Sequence, residues 1–182
     1  MTTDPGTPAP PTPAPDDKDW TWVLEKPCPD CGFDAAQLDG SDIGGVVRDA
    51  ARRWQLALGG SDVRQRPSPA VWSVAEYGSH CRDVCLIFAD RVSLMLQQDD
   101  PLFSNWDQDR TAIEKRYWAD DPAVVAVELA AAAGAAADTF DGVTGAQWAR
   151  TGRRSNGSVF TVQTLGRYFV HDLLHHLWDV RG

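Results

Sequence analysis

Phe169-Val170-His171-Asp172-Leu173-Leu174-His175-His176-Leu177 holds three of the four histidines of the chain. Leu165 and Tyr168 just before it, with Phe169, Leu173 and Leu177 within it, recur at helical period, and Thr161 upstream suits an N-cap, so the stretch reads as part of an amphipathic helix. On that helix His171 and His175 stand one turn apart on a shared face, the spacing that lets two imidazoles reach one metal ion. His176, rotated by about 100° from His175, reads as a supporting or surface residue. Asp172 points off the paired face and reads as an outer partner of the ligands or a surface charge. Two imidazoles do not hold a metal alone, and the one histidine left is His80.

His80 lies in Trp72-Ser73-Val74-Ala75-Glu76-Tyr77-Gly78-Ser79-His80. Ser73 followed three residues later by Glu76 makes a capping box, and Trp72 can staple onto Tyr77, so a second helix starts at Ser73. Its inner stripe is Tyr77, Cys81, Val84, Phe88, Val92 and Met95, and it runs to about Gln98. His80 comes in the second turn beside that stripe. Taken alone it fits a hydrogen-bonded core histidine as well as a metal ligand.

Two further helices complete the pattern. From Gly40 to Leu58 the apolar positions Ile43, Val46, Val47, Ala50, Ala51, Trp54 and Leu58 have helical period, with Ser41 or Asp42 as cap and Gly59-Gly60 as stop. Asp121 with Pro122 at the first position opens another, running through the alanine-rich Val124 to Phe140. Four helices without a convincing strand set indicate an all-α four-helix bundle, in which metal sites are built inside from facing helices. Between the second and third helices, residues 99–120 are polar, and Trp106, Asp107 and Asp109 read either as a substrate lid or as part of a solvated, partly helical connector. Thr144 can cap a short helical turn to Trp148. Arg153 and Arg154, in a polar loop, read as contacts to an anionic substrate or as solvated charges.

At 182 residues the chain suits one compact domain with a short tail. A net charge of −9 argues against nucleic acid or an anionic membrane as partner. No run approaches the roughly eighteen consecutive apolar residues of a membrane span, and the N-terminus lacks a signal-peptide pattern, so a cytoplasmic protein is expected. Eight tryptophans promise a large buried aromatic surface or a ligand pocket.

Residues 1–17 form a Pro/Thr/Ala tract too poor in apolar area to fold, and are expected to be a disordered tail. Residues 18–39 contain Cys28-Pro29-Asp30-Cys31-Gly32, shaped like a metal knuckle. Cys28 and Cys31 are open to metal binding, to redox chemistry, or to a plain structural turn. Cys81 and Cys85, one turn apart on the second helix, read as small buried apolar residues. The bundle proper is expected over residues 40–182.

The start Trp72-Ser73-Val74-Ala75-Glu76-x-x-x-His80, together with His171-x-x-x-His175 on the last helix, resembles the DinB/YfiT-like superfamily of four-helix metalloproteins. Mycothiol-dependent maleylpyruvate isomerase and the bacillithiol transferases belong to that superfamily. The resemblance spans roughly Gly40 to Arg181. It implies that His80, His171 and His175 hold a divalent metal, most readily zinc with nickel or iron still open. The isomerase branch uses a carboxylate in place of one histidine, so an all-histidine triad points to the broader set.

Three neutral ligands leave a divalent ion its full charge, which favours a bound thiolate or hydroxide. The expected function is therefore a metal-dependent, thiol-dependent transferase or isomerase in which a metal-bound thiolate attacks a small electrophilic substrate. A composition rich in Ala, Arg, Asp and Trp, as in actinobacteria, suggests mycothiol as the thiol. The alternatives are a hydrolase using metal-bound hydroxide and a non-catalytic metal-binding, stress-response or redox module using Cys28 and Cys31. A small molecule and the thiol are the expected partners, and a homodimer is compatible with the sequence.

Overall fold

The computed structural model describes Pro10, Pro11, Pro13 and residues 18–181. The expected disordered tail, apart from those three prolines, lies outside the described residues. Five α-helices are present among the described residues: α1 (Ile43–Leu58), α2 (Val74–Gln97), α3 (Gln108–Lys115), α4 (Pro122–Asp141) and α5 (Val162–Asp179). The four long ones make the bundle. Helix α4 packs along α1 and α2, and α5 packs along the same two helices. Their apolar stripes meet in one core containing Trp54, Phe88, Phe140, Phe169 and Leu173.

The helix starts follow local chemistry. Ser73 and Glu76 form the expected reciprocal capping box on α2, and Thr161 with Thr164 form another on α5. Asp121 caps α4 through the Ala123 amide, with Pro122 in the first turn. The Trp72 and Tyr77 rings meet edge to face at 5.4 Å, which fixes how the chain enters α2. Cys81 and Cys85 are buried in the core, as small apolar residues.

Helix α4 has the length and mean hydropathy of a membrane-crossing segment. Glu128 interrupts its apolar run, which hid this feature from a search for uninterrupted apolar sequence. In the bundle, Ala132, Ala133, Ala136 and Ala137 are buried, and their small side chains let the neighbouring helices come close.

Part of the polar connector is ordered. Leu102–Phe103 forms β1, Thr151–Arg154 forms β2 and Val159–Thr161 forms β3. Strand β1 runs parallel to β2, pairing Phe103 with Arg154, and β2 runs antiparallel to β3, pairing Gly152 with Phe160. This small sheet was not expected. Arg153 pairs with Asp100 at 2.9 Å, while Arg154 reaches Asn156 and Ser158 and lies over the Phe160 and Tyr168 rings. Both arginines thus have partners within the chain.

Residues 18–38 lie against α5. Trp20–Leu24 is a short 3-10 helix capped by Asp19, and it contacts α5 directly. Val23, Cys28 and Ala35 are buried, which anchors this segment to the bundle.

Candidate metal centres on helix α5

A helix turns about 100° per residue, so positions 171 and 175 share one face and positions 172 and 176 share the next. Helix α5 uses both faces. Among the described residues, two sets of side chains bring their ligand atoms within 4.8 Å of one another: Cys28, Cys31, His171 and His175 form one, and His80, Asp172 and His176 form the other. The histidines expected as one triad are therefore divided. His171 and His175 turn toward the N-terminal segment, whereas His80, reaching across from α2, meets the neighbouring face of α5.

In the set between α2 and α5, Asp172 Oδ1 lies 3.2 Å from His80 Nε2 and 3.4 Å from His176 Nε2. These separations exceed the roughly 2.7–2.9 Å of a charge-assisted hydrogen bond. They approach the spacing of about 3.3–3.4 Å between two ligands that each stand about 2.0–2.1 Å from one tetrahedral ion. The other ring nitrogen of His176, Nδ1, is 2.7 Å from Asp179 Oδ2. A carboxylate on the far nitrogen fixes tautomer and ring orientation in metal-binding histidines. The three side chains thus suit a divalent cation.

Burial and charge shape the protonation states. Burial pushes His80 below its ordinary range despite the opposing Asp172 carboxylate, which favours the neutral imidazole a metal requires. Burial works against ionisation of Asp172, yet the hydrogen bond and charge of His80, followed by the other histidines, hold it below the usual carboxylate range.

In the other set, Cys28 Sγ lies 3.6 Å from His175 Nδ1, and His171 Nε2 is buried without a hydrogen-bond partner. All four cysteines are free thiols. Burial lowers His171 to about 4, helped by the neighbouring His175, and burial raises Cys31 to about 11. Trp20 lies over this set, its ring centroid 5.0 Å from that of His175 and 5.8 Å from that of His171.

Both faces of α5 open onto one cavity of about 350 Å³, lined by His171, Asp172, His175 and His176 together with Trp20, Tyr77, Gln108, Tyr168 and Lys18. Trp106 stacks on His80, with ring centroids 5.3 Å apart and planes 14° apart, and its Nε1 donates to Thr111. Asp107 caps α3 through the Arg110 amide, so of the expected lid residues it has a structural task. Asp109 lines an adjoining cavity together with Trp106 and Asp107. The meeting of Asp172 and His176 with His80 was missed from sequence, although their own i, i+4 spacing repeats that of His171 and His175.

The bundle and the two donor sets on neighbouring faces of α5 define a four-helix protein with side chains that could hold a metal. The chain belongs to the DinB superfamily, whose profile matches residues 45–180. Among solved structures it is similar to YfiT from Bacillus subtilis, described as a probable metal-dependent hydrolase with an unusual four-helix bundle topology. That likeness has a TM-score of 0.69 at 18% identity and covers 78% of this chain and 85% of that chain. At this identity it speaks for the fold. No curated protein matches the chain.

Proposed function

We propose that this protein is a metal-dependent enzyme centred on His80, Asp172 and His176, and that it joins a low-molecular-weight thiol to a small electrophilic substrate or rearranges that substrate with the thiol's help. One observation carries the reading: Asp172 and His176, two of three ligands that suit one cation, line the cavity of about 350 Å³. A divalent cation held by two imidazoles and one carboxylate keeps a net positive charge, and lowers the pKa of a thiol or water that it takes as ligand.

The chain's own residues prepare the centre. Asp179 holds His176 through Nδ1, leaving Nε2 toward Asp172. Trp106 covers His80 and keeps water from that side. Tyr77 and Tyr168 supply aromatic walls for a small substrate. Trp106, Asp107 and Asp109, at the start of α3 and lining the adjoining cavity, would serve as the substrate lid.

Two imidazoles with one carboxylate is the ligand pattern that the family resemblance attaches to the thiol-dependent isomerases, and this favours thiol chemistry. Zinc is the metal that suits the donor set, mycothiol the thiol, and the cytoplasm the setting in which such a thiol is kept reduced. The likeness to YfiT, described as a probable metal-dependent hydrolase, favours a second reading in which water takes the thiol's place.

The test uses untagged, full-length protein. Metal content is measured, then turnover of maleylpyruvate and chlorodinitrobenzene with and without mycothiol, and of ester and amide substrates without it. Thiol-dependent turnover that disappears in His176→Ala, with the fold retained by circular dichroism, supports the proposal. Ester or amide hydrolysis lost in the same variant supports the second reading instead. Turnover indifferent to both His80→Ala and His176→Ala overturns the centre.

A further inference from the structure

The Cys28, Cys31, His171 and His175 set differs in kind from the centre just described. It contains no carboxylate, and it draws two of its members from a segment N-terminal to the bundle. We propose that these four residues form a second metal site, selective for zinc and closed by four protein ligands, which fastens residues 18–38 onto α5.

The geometry comes first. All four side chains bring a ligand atom within 4.8 Å of the others. The Cys28 Sγ to His175 Nδ1 separation is 3.6 Å. A sulfur at about 2.3 Å and a nitrogen at about 2.0–2.1 Å from a tetrahedral zinc ion stand about 3.6 Å apart.

Local backbone structure delivers the thiols. The Cys28 amide donates to the Phe33 carbonyl at 2.8 Å, and the Gly32 amide donates to the Cys28 carbonyl at 3.0 Å. The resulting tight turn folds Cys31 back beside Cys28. Gly32 closes it at φ +74°, a left-handed conformation strained for other residues. On the helix side, the i, i+4 spacing of His171 and His175 supplies the other two donors.

The set also has an unmet need. His171 is 3% exposed, and its Nε2 has no hydrogen-bond partner. A buried nitrogen without a partner is destabilising, and a cation in the middle of the set would satisfy it. Two sulfurs and two imidazoles in tetrahedral array select zinc over magnesium or calcium, which take oxygen ligands.

Charge fits the burial. On binding, zinc displaces one proton from each thiol, so two protons leave and two thiolates and two neutral imidazoles remain. The double positive charge of the ion is then cancelled, and the neutral assembly suits a position where Cys28 is 1% exposed. With every position filled by protein, the site has no place for substrate and acts structurally. Its product is a fixed wall: the segment that it fastens carries Trp20, which lines the cavity beside the other centre. The inference does not depend on the reaction proposed for His80, Asp172 and His176.

Cobalt substitution of the untagged, full-length protein tests it, because cobalt in a tetrahedral site with thiolate ligands shows a sulfur-to-metal charge-transfer band. The band is expected in the parent, lost in Cys28→Ser/Cys31→Ser and kept in His176→Gln. The double serine variant should also lose one equivalent of zinc and become cleavable by endoproteinase Glu-C after Glu25. Absence of the band in the parent, its persistence in the double serine variant, or its loss in His176→Gln would each overturn the site. If the double serine variant does not fold, the parent and His176→Gln spectra still decide. Thiol counting on denatured, unreduced protein is an independent test: four free thiols support the site, and two, the mark of a Cys28–Cys31 disulfide, overturn it.

Discussion

His175 and His176 are adjacent in the chain, yet their rings stand at 73° to each other, one beside Cys28 Sγ and the other beside the His80 ring. One residue of helical rotation thus separates two chemically different donor sets, one with thiols and one with a carboxylate. Variants of neighbouring residues on α5 should have unrelated consequences.

Asp179 is the sharpest probe of the centre between α2 and α5. Its Oδ2 lies 2.7 Å from His176 Nδ1. Asp179→Asn weakens the hold on the His176 ring without removing a ligand, and metal affinity there should fall by about 10–100-fold. Competition with a chelator of known affinity measures it. An unchanged affinity would show that His176 does not bind the metal.

Trp106 tests the wall above His80. Trp106→Ala removes the ring stacked on His80. Turnover should fall by about tenfold, equivalent to about 1.4 kcal/mol, with metal content unchanged. Trp106→Phe keeps a stacking face and should recover most of the loss. A fall in metal content that parallels the fall in turnover would instead make Trp106 part of the metal's support.

The buried Arg66–Glu76 pair predicts a pH dependence of stability. Arg66 Nε donates to Glu76 Oε2 at 2.8 Å, and Glu76 is 2% exposed. Burial opposes the charge on Glu76, but the Arg66 guanidinium and the Ser73 amide and hydroxyl outweigh it and hold the carboxyl below its ordinary range. A folded-state pKa lower than the unfolded one means that the stabilisation is present above the unfolded value of about 4.3 and is lost as pH falls through the folded value. Arg66→Met leaves the carboxylate buried without its partner and should cost about 3–5 kcal/mol at neutral pH. Urea midpoints measured from neutral to acid pH should show the gap between parent and variant closing below the ordinary glutamate range. A gap that does not change with pH would remove the charge from the explanation.

Gly166 tests packing at the crossing of α1, α4 and α5. A Cβ there would stand 2.5 Å from Ile43 Cδ1 and 2.7 Å from Phe140 Cε1, both in fully buried side chains. Alanine in a helix ordinarily gains about 0.5–1 kcal/mol over glycine. Overpacking of about 1–3 kcal/mol should reverse that sign in Gly166→Ala. A raised thermal midpoint would mean that Ile43 and Phe140 give way freely.

The helices were legible because their signals are local. Ser73 with Glu76, Asp121 with Pro122, and Thr161 each announce a helix within a few residues. The sharing of a face by His171 and His175 was legible for the same reason. Which neighbour that face meets depends on how α5 is rolled in the bundle, and a roll of one residue exchanges one histidine pair for another. That information is tertiary, and the family resemblance pointed to the pair that meets the cysteines rather than to Asp172 and His176. The three strands were hidden because runs such as Leu102–Phe103 are too short to show alternation. Helix α3 fits the partly helical reading of the connector, but its position was not legible because its residues are mostly polar and its Ile113 is 48% exposed, so no apolar stripe marks it.

Cys28 and His175 are separated by 147 positions in the chain. A cation held between them would work as a clasp joining the N-terminal segment to the last helix, closing a ring that contains most of the bundle. Loop-closure entropy grows by about 0.6 kcal/mol for each doubling of length, so a ring of this size restrains the unfolded chain somewhat more than a short loop would. Peeling the N-terminal segment off α5 beyond Cys28 would then require the clasp to open first, and the lifetime of that docked state would follow the rate of metal release.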